Sequence, residues 1–190
     1  MKKKELKLKL EEYSNYEFSS LALYNKAGED LLNSDFELFC FANDLINCCK
    51  YSHAEIVLKK INTKNIPKDH LWEFYQTKGF LYFEWGKYKK AKGNFLKSIK
   101  LNCNSTVPHV YLSNILGKEE KVLESIKVLK EGLLKNGDTD EIYFNLGTRY
   151  AILGDYQKSL EYLKECQKLD PNFDNVEHLL EDISHCIEII

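Results

Sequence analysis

The chain has 190 residues, 44% of them hydrophobic and 13% aromatic, enough apolar material for a substantial core. Lys plus Arg number 27 against 29 Asp plus Glu, a net charge of −2, so no bulk field draws the chain to nucleic acid or to an anionic membrane. Three prolines and nine glycines exclude collagen-like and loop-rich classes and leave a soluble, mostly helical chain with a Lys/Glu surface.

Residues 1–34 open with Met1-Lys2-Lys3-Lys4, and Leu6, Leu8 and Leu10 are separated by Lys7 and Lys9. A secretory leader needs an unbroken apolar run of roughly 7–15 residues, and none stands here. No window reaches the ~18 consecutive apolar residues of a membrane span. A cytoplasmic protein is expected. The six cysteines include no C-x-x-C pair and read as reduced thiols serving as small core hydrophobes. Ser20, Tyr24 and Ala27 keep a spacing that returns downstream, so 1–34 is either a worn first unit or a leading helix pair.

Residues 35–71 carry Ala42, Tyr51, Ala54 and Leu58, with Ser34/Glu37 and Ser52/Glu55 as capping boxes and 62–68 as an exposed loop. Residues 72–105 carry Tyr75-x-x-Lys78-Gly79-x-x-Tyr82-x-x-x-Gly86-x-Tyr88. The same frame returns in 140–173 as Tyr143-x-x-Leu146-Gly147-x-x-Tyr150-x-x-x-Gly154-x-Tyr156, with every matched pair 68 residues apart. Half that interval, 34, locates a copy between them in 106–139, with His109, Leu112, Ser113, Leu116 and Val122. The second halves agree: Ala91, Ser125 and Ser159 are small, Phe95, Leu129 and Leu163 are large, and Ser98, Gly132 and Cys166 are small again. Asp138 and Glu141 pair as a cap where the last copy begins. In 174–190, Asp174 and Glu177 form another capping box, and Val176, Leu179, Leu180, Ile183 and Ile187 make one apolar stripe of an amphipathic closing helix.

A 34-residue period with these residues resembles the tetratricopeptide repeat. The unit at 140–173 follows the pattern through Tyr143, Leu146, Gly147, Tyr150, Gly154, Tyr156, Leu163 and Pro171. It departs at Ser159 and Cys166, where the family has Ala. The unit at 72–105 has Lys78 for Leu and Cys103 for Pro. The middle unit has His109 at the aromatic position and Glu120 at the inter-helix Gly. The resemblance implies an all-α fold: an α-solenoid of stacked antiparallel helix hairpins in a right-handed superhelix, one domain of roughly ten or eleven helices. Small residues at Gly79, Ser113 and Gly147 would let the second helix of a unit approach the first. Tyr82 and Tyr150 would fill the space between units.

The resemblance also implies a concave groove lined by the first helix of each unit. The groove positions here are Phe36, Phe39, Asn43 and Asn47, then Glu73, Gln76, Thr77, Phe80 and Phe83. Val107, Val110, Tyr111 and Asn114 follow, then Glu141, Phe144, Asn145 and Thr148. Aromatics supply contact area and asparagines pair with a peptide backbone running in either direction. That mixture suits a protein or peptide segment docking in the groove. The family's carboxylate clamp places Lys or Arg where this chain has Gln76, Thr77 and Tyr111, so chaperone tails held that way are disfavoured. The competing reading assigns Phe36, Phe39 and Phe83 to packing against the leading helices or a second copy.

Catalytic motifs are absent: there is no H-E-x-x-H, phosphate-binding Gly-rich loop or G-x-S-x-G. Of the five histidines none stands four residues from another, and His178 and His185 lack further ligands. Vicinal Cys48 and Cys49 diverge by ~100° on a helix and read as packing. Arg149 is the single arginine, which weakens any case for bidentate phosphate or base recognition. The expectation is a non-catalytic interaction module without cofactor or metal, monomer or homodimer. It would serve as a small chaperone, an adaptor or an immunity-type partner. The alternative is a structural, self-associating repeat protein.

Overall fold

The computed structural model describes residues 35–101, 104–135 and 137–189, and the expectations for 1–34 and Cys103 lie outside them. Nine helices run through the described residues: α1 Asp35–Asn47, α2 Tyr51–Leu58, α3 Leu71–Glu84, α4 Tyr88–Lys100, α5 Val107–Lys118, α6 Val122–Gly132, α7 Asp140–Ile152, α8 Tyr156–Leu169 and α9 Val176–Ile189. They fold as four successive hairpins, α1–α2 to α7–α8, closed by α9. Each hairpin lies on the next, and the first helices α1, α3, α5 and α7 also touch one another in order. The architecture is an all-α solenoid, whose contacts are local and serial.

One turn recurs at every hairpin bend. Its residue before last lies in the left-handed region: Cys49 at φ 58°, Gly86 at 71°, Glu120 at 59° and Gly154 at 74°. The next amide reaches back five residues to the first helix: Lys50 N–H to the Leu45 carbonyl at 2.8 Å, Lys87 to Tyr82 at 2.8 Å, Lys121 to Leu116 at 2.9 Å and Asp155 to Tyr150 at 3.0 Å. This closes otherwise orphaned helix-end carbonyls and aims the chain into the second helix. Glycine meets the φ requirement without strain at two of the four bends; Glu120 and Cys49 meet it at a steric cost.

The small residues fix the distance between paired helices. A Cβ added to Gly79 would stand 2.5 Å from the Phe95 ring, and one on Gly147 would stand 2.6 Å from Leu163 Cγ. Phe95 and Leu163 are fully buried. In the middle hairpin Ser113 Oγ lies 2.8 Å from Ser125 Oγ, and Ser125 also donates to the Ser113 carbonyl. Tyr82 reaches the preceding hairpin, donating to Glu55 Oε1 at 2.7 Å. That bond, chiefly, holds the Glu55 carboxyl below its ordinary range, while burial and the same bond push Tyr82 up to about 12. His109, in the aromatic register, is buried and packed against Gly132, its Nδ1–H donating to the Ser105 carbonyl at 3.3 Å. Val176 and Ile183 seat α9 on the last hairpin, with Leu179, Leu180 and Ile187 half-buried beside them.

Two expected caps are corrected. The N-cap of α2 is Lys50, and Ser52 and Glu55 form no box there because Glu55 is drawn across to Tyr82 and Lys59. The N-cap of α7 is Thr139 without a side-chain cap, while Asp140 Oδ1 takes the Glu141 N–H at 2.8 Å, replacing the Asp138/Glu141 pair. Once the turn or a tertiary contact directs the chain, the side-chain cap is dispensable.

Candidate functional site

The face made by the first helices is where the expected groove residues fall, and they divide into three groups. At the amino-terminal ends of α1 and α3, Phe39 and Glu73 border a hollow of about 420 Å³ with Ile61, Ile66, Pro67 and Phe74. Sequence reasoning took 62–68 for an exposed loop, yet Ile66 turns inward against the core. His70 on the rim stands 2.8 Å from Glu73 Oε1, and that hydrogen bond raises its pKa. Asn43 is half-buried and Asn47 exposed on α1, while the side chain of Phe36 lies outside what is described.

The second group is aromatic. Tyr111 on α5 meets Phe80 and Phe83 of α3 edge-on, at ring separations of 5.5 and 4.8 Å, and stacks on Phe95 of α4 at 5.5 Å. Burial pushes the Tyr111 phenol up to about 12. These rings bridge two hairpins, so part of their surface is spent on the stack itself. Gln76, one turn before Phe80, is half-buried.

The third group is held by contacts of its own hairpin and of the segment that follows it. Phe144 packs on Phe173 at 5.0 Å and joins the core under α9. Asn145 is buried and donates through Nδ2 to the Glu141 carbonyl at 2.8 Å, and Thr148 Oγ1 donates to the Phe144 carbonyl at 2.9 Å. Their polar groups are committed to their own helix.

Between the second and third groups lies a hollow of about 400 Å³ bounded by Phe83, Asn114, Gly117, Lys118 and Arg149. Three successive first helices contribute to it: α3, α5 and α7. Arg149 Nε donates to Ser125 Oγ at 3.0 Å and its Nη2 to Asn114 Oδ1 at 3.4 Å. The guanidinium lies over Gly117, where a Cβ would come within 2.6 Å of Nη2. Sequence reasoning missed Arg149, Lys118 and Gly117 as site residues. The signal was present: 34 and 68 residues before Arg149 stand Ile115 and Leu81, both fully buried aliphatics.

Among the described residues no three His, Cys, Asp or Glu side chains are grouped to hold a metal ion, and no helix is long and apolar enough to cross a membrane. Models of the tetratricopeptide repeat match residues 73–103 and 140–173. The chain carries tetratricopeptide repeats. Solved structures of such repeats share the fold. YrrB, titled as a TPR protein with an unusual peptide-binding site, is 20% identical over 87% of this chain and 84% of its own, with a TM-score of 0.65. The first TPR of Spaghetti (RPAP3), bound to the HSP90 peptide SRMEEVD, is 18% identical over 62% and 93%, with a TM-score of 0.58. The second TPR domain of human RPAP3, in complex with the HSP70 peptide SGPTIEEVD, is 19% identical over 61% and 98%, with a TM-score of 0.56.

Proposed function

We propose that this repeat protein is a non-catalytic binding module that holds an extended segment of a partner protein along the face of α1, α3, α5 and α7. The observation that carries this reading is the hollow shared by three successive first helices, beside the half-buried rings of Phe80, Phe83 and Tyr111. Peptide binding by the two RPAP3 domains and by YrrB supports it. An adaptor or a small sequestering chaperone would use such a face. The unpaired thiols of Cys48, Cys49, Cys166 and Cys186 support a reducing, cytoplasmic setting. Selection of binders from a displayed peptide library, followed by hydrogen exchange with the selected peptide, tests the reading. Protection is expected on the first helices and not on α4, α6 or α8. Protection confined to the second helices or to α9 refutes it.

Self-association is the second reading. Leu169 and Ile189, 55% and 85% exposed, lie toward the carboxy-terminal end of the stack, where a second copy could add. Sedimentation across a hundredfold concentration range decides: a single monomeric species rejects it.

A further inference from the structure

Arg149 occupies a register that its own chain fills elsewhere with Leu81 and Ile115, both 0% exposed. A guanidinium in that register forfeits aliphatic packing and brings a charge into a half-buried place. Among the described residues no carboxylate pairs with it; it donates to the neutral oxygens of Ser125 and Asn114. Those two bonds orient the guanidinium fork, and the missing side chain at Gly117 gives it room to lie flat on α5. Asn114 accepts from Arg149 through its oxygen, which leaves the amide nitrogen as a donor. Lys118 Nζ, 5.5 Å from the Tyr88 ring centroid, adds a second positive charge on the rim. The lining therefore offers donors and positive charge, with the Phe83 ring as its apolar wall.

We propose that this hollow receives the carboxylate of an Asp or Glu side chain within the bound partner segment. The proposal rests on the groove reading above and names one anchor of it. A carboxylate fits the planar fork and the neighbouring ammonium, and its charge compensates a guanidinium that no carboxylate among the described residues pairs with. An internal side chain is favoured over a chain end because three successive first helices bound the hollow, α3 through Phe83, α5 through Asn114 and α7 through Arg149, so a segment running along them crosses it. The residues also differ from the Gln76, Thr77 and Tyr111 positions at which a terminal carboxylate would be clamped.

A single arginine gives a single Nε–H resonance, so the full-length ¹⁵N-labelled chain reports on this site without ambiguity. The probes are acetyl-Phe-Glu-Leu-amide, its Gln counterpart, and the Gln peptide with a free carboxyl end. The Glu peptide is expected to shift the Arg149 Nε signal saturably and to bind about tenfold tighter than the amidated Gln peptide. Arg149→Lys, which keeps charge but loses the fork, should weaken the Glu peptide about tenfold and leave the Gln peptide unchanged. Lys118→Met, on an exposed position that does not threaten folding, should weaken it by a factor of about three. Equal responses to Glu and Gln peptides overturn the proposal, as does a response to the free chain end alone. If the ring signals of Phe83 and Tyr111 move while Arg149 stays still, the groove reading stands and the anchor falls. If neither moves at millimolar peptide, both fail.

Discussion

Gly147 offers the sharpest test of how the hairpins are spaced. A methyl at that position would meet Leu163 Cγ at 2.6 Å, Leu163 Cδ2 at 2.8 Å and the Ser159 carbonyl at 3.2 Å. Ordinary carbon contacts lie near 3.5–4.0 Å, so α7 and α8 must part by about 1 Å or Leu163 must leave its place. Leu163 is fully buried and the Ser159 carbonyl is backbone, so neither yields cheaply. Overpacking of this kind costs about 1–3 kcal/mol. Alanine also gains about 0.8–1 kcal/mol of helix propensity over glycine, which opposes the penalty. Gly93 measures that second effect alone: it lies within α4, is exposed, and a methyl there meets nothing within 4 Å. Gly93→Ala should therefore stabilise the chain by somewhat under about 1 kcal/mol. Gly147→Ala should fall about 1–3 kcal/mol below Gly93→Ala in urea unfolding followed by circular dichroism, with unchanged m-value. Adding Leu163→Ala should cost less in the Gly147→Ala background than in the parent, because the two changes share one space. Equal stabilities for Gly147→Ala and Gly93→Ala would refute the claim that the missing side chain sets the helix spacing.

Two further outcomes are expected. Glu120→Gly should raise stability by about 1 kcal/mol, because the bend before Lys121 imposes φ 59° on a residue with a side chain, offset in part by the greater freedom of glycine in the unfolded chain. An unchanged urea midpoint would show that the bend relaxes without strain. His109 is held below its ordinary pKa of 6.5, chiefly by burial, so below pH 6.5 the unfolded chain binds a proton that the folded chain refuses. Its contribution is complete above pH 6.5 and is lost as pH falls toward the lowered folded value. Thermal melts of the parent and His109→Gln between pH 7.5 and 5 should show a shallower acid decline in the variant; parallel curves would exclude His109 as the cause.

A constant interval of 34 residues determined the helical hairpins, their order and the small-residue seams. That legibility is physical, since each unit must offer the same flanks to its neighbours, and Gly79, Ser113 and Gly147 stand where the chain demands close approach. Glu120 shows why the interval outweighs any one residue: the bend forms in the expected place although its glycine is gone. The caps were less legible, because Glu55 chose between its own helix end and a tyrosine 27 residues away. The groove was legible in its helices and much less so in its side chains. Phase assigned Phe144 and Asn145 to the open face, but only packing in three dimensions turned the first onto Phe173 and closed the second onto Glu141. Arg149 was visible as an odd residue in an aliphatic register. Its meeting with Asn114 and Ser125 depended on how far α7 slides along α5 and α6, a distance set by the summed contacts of the stack rather than by any local spacing.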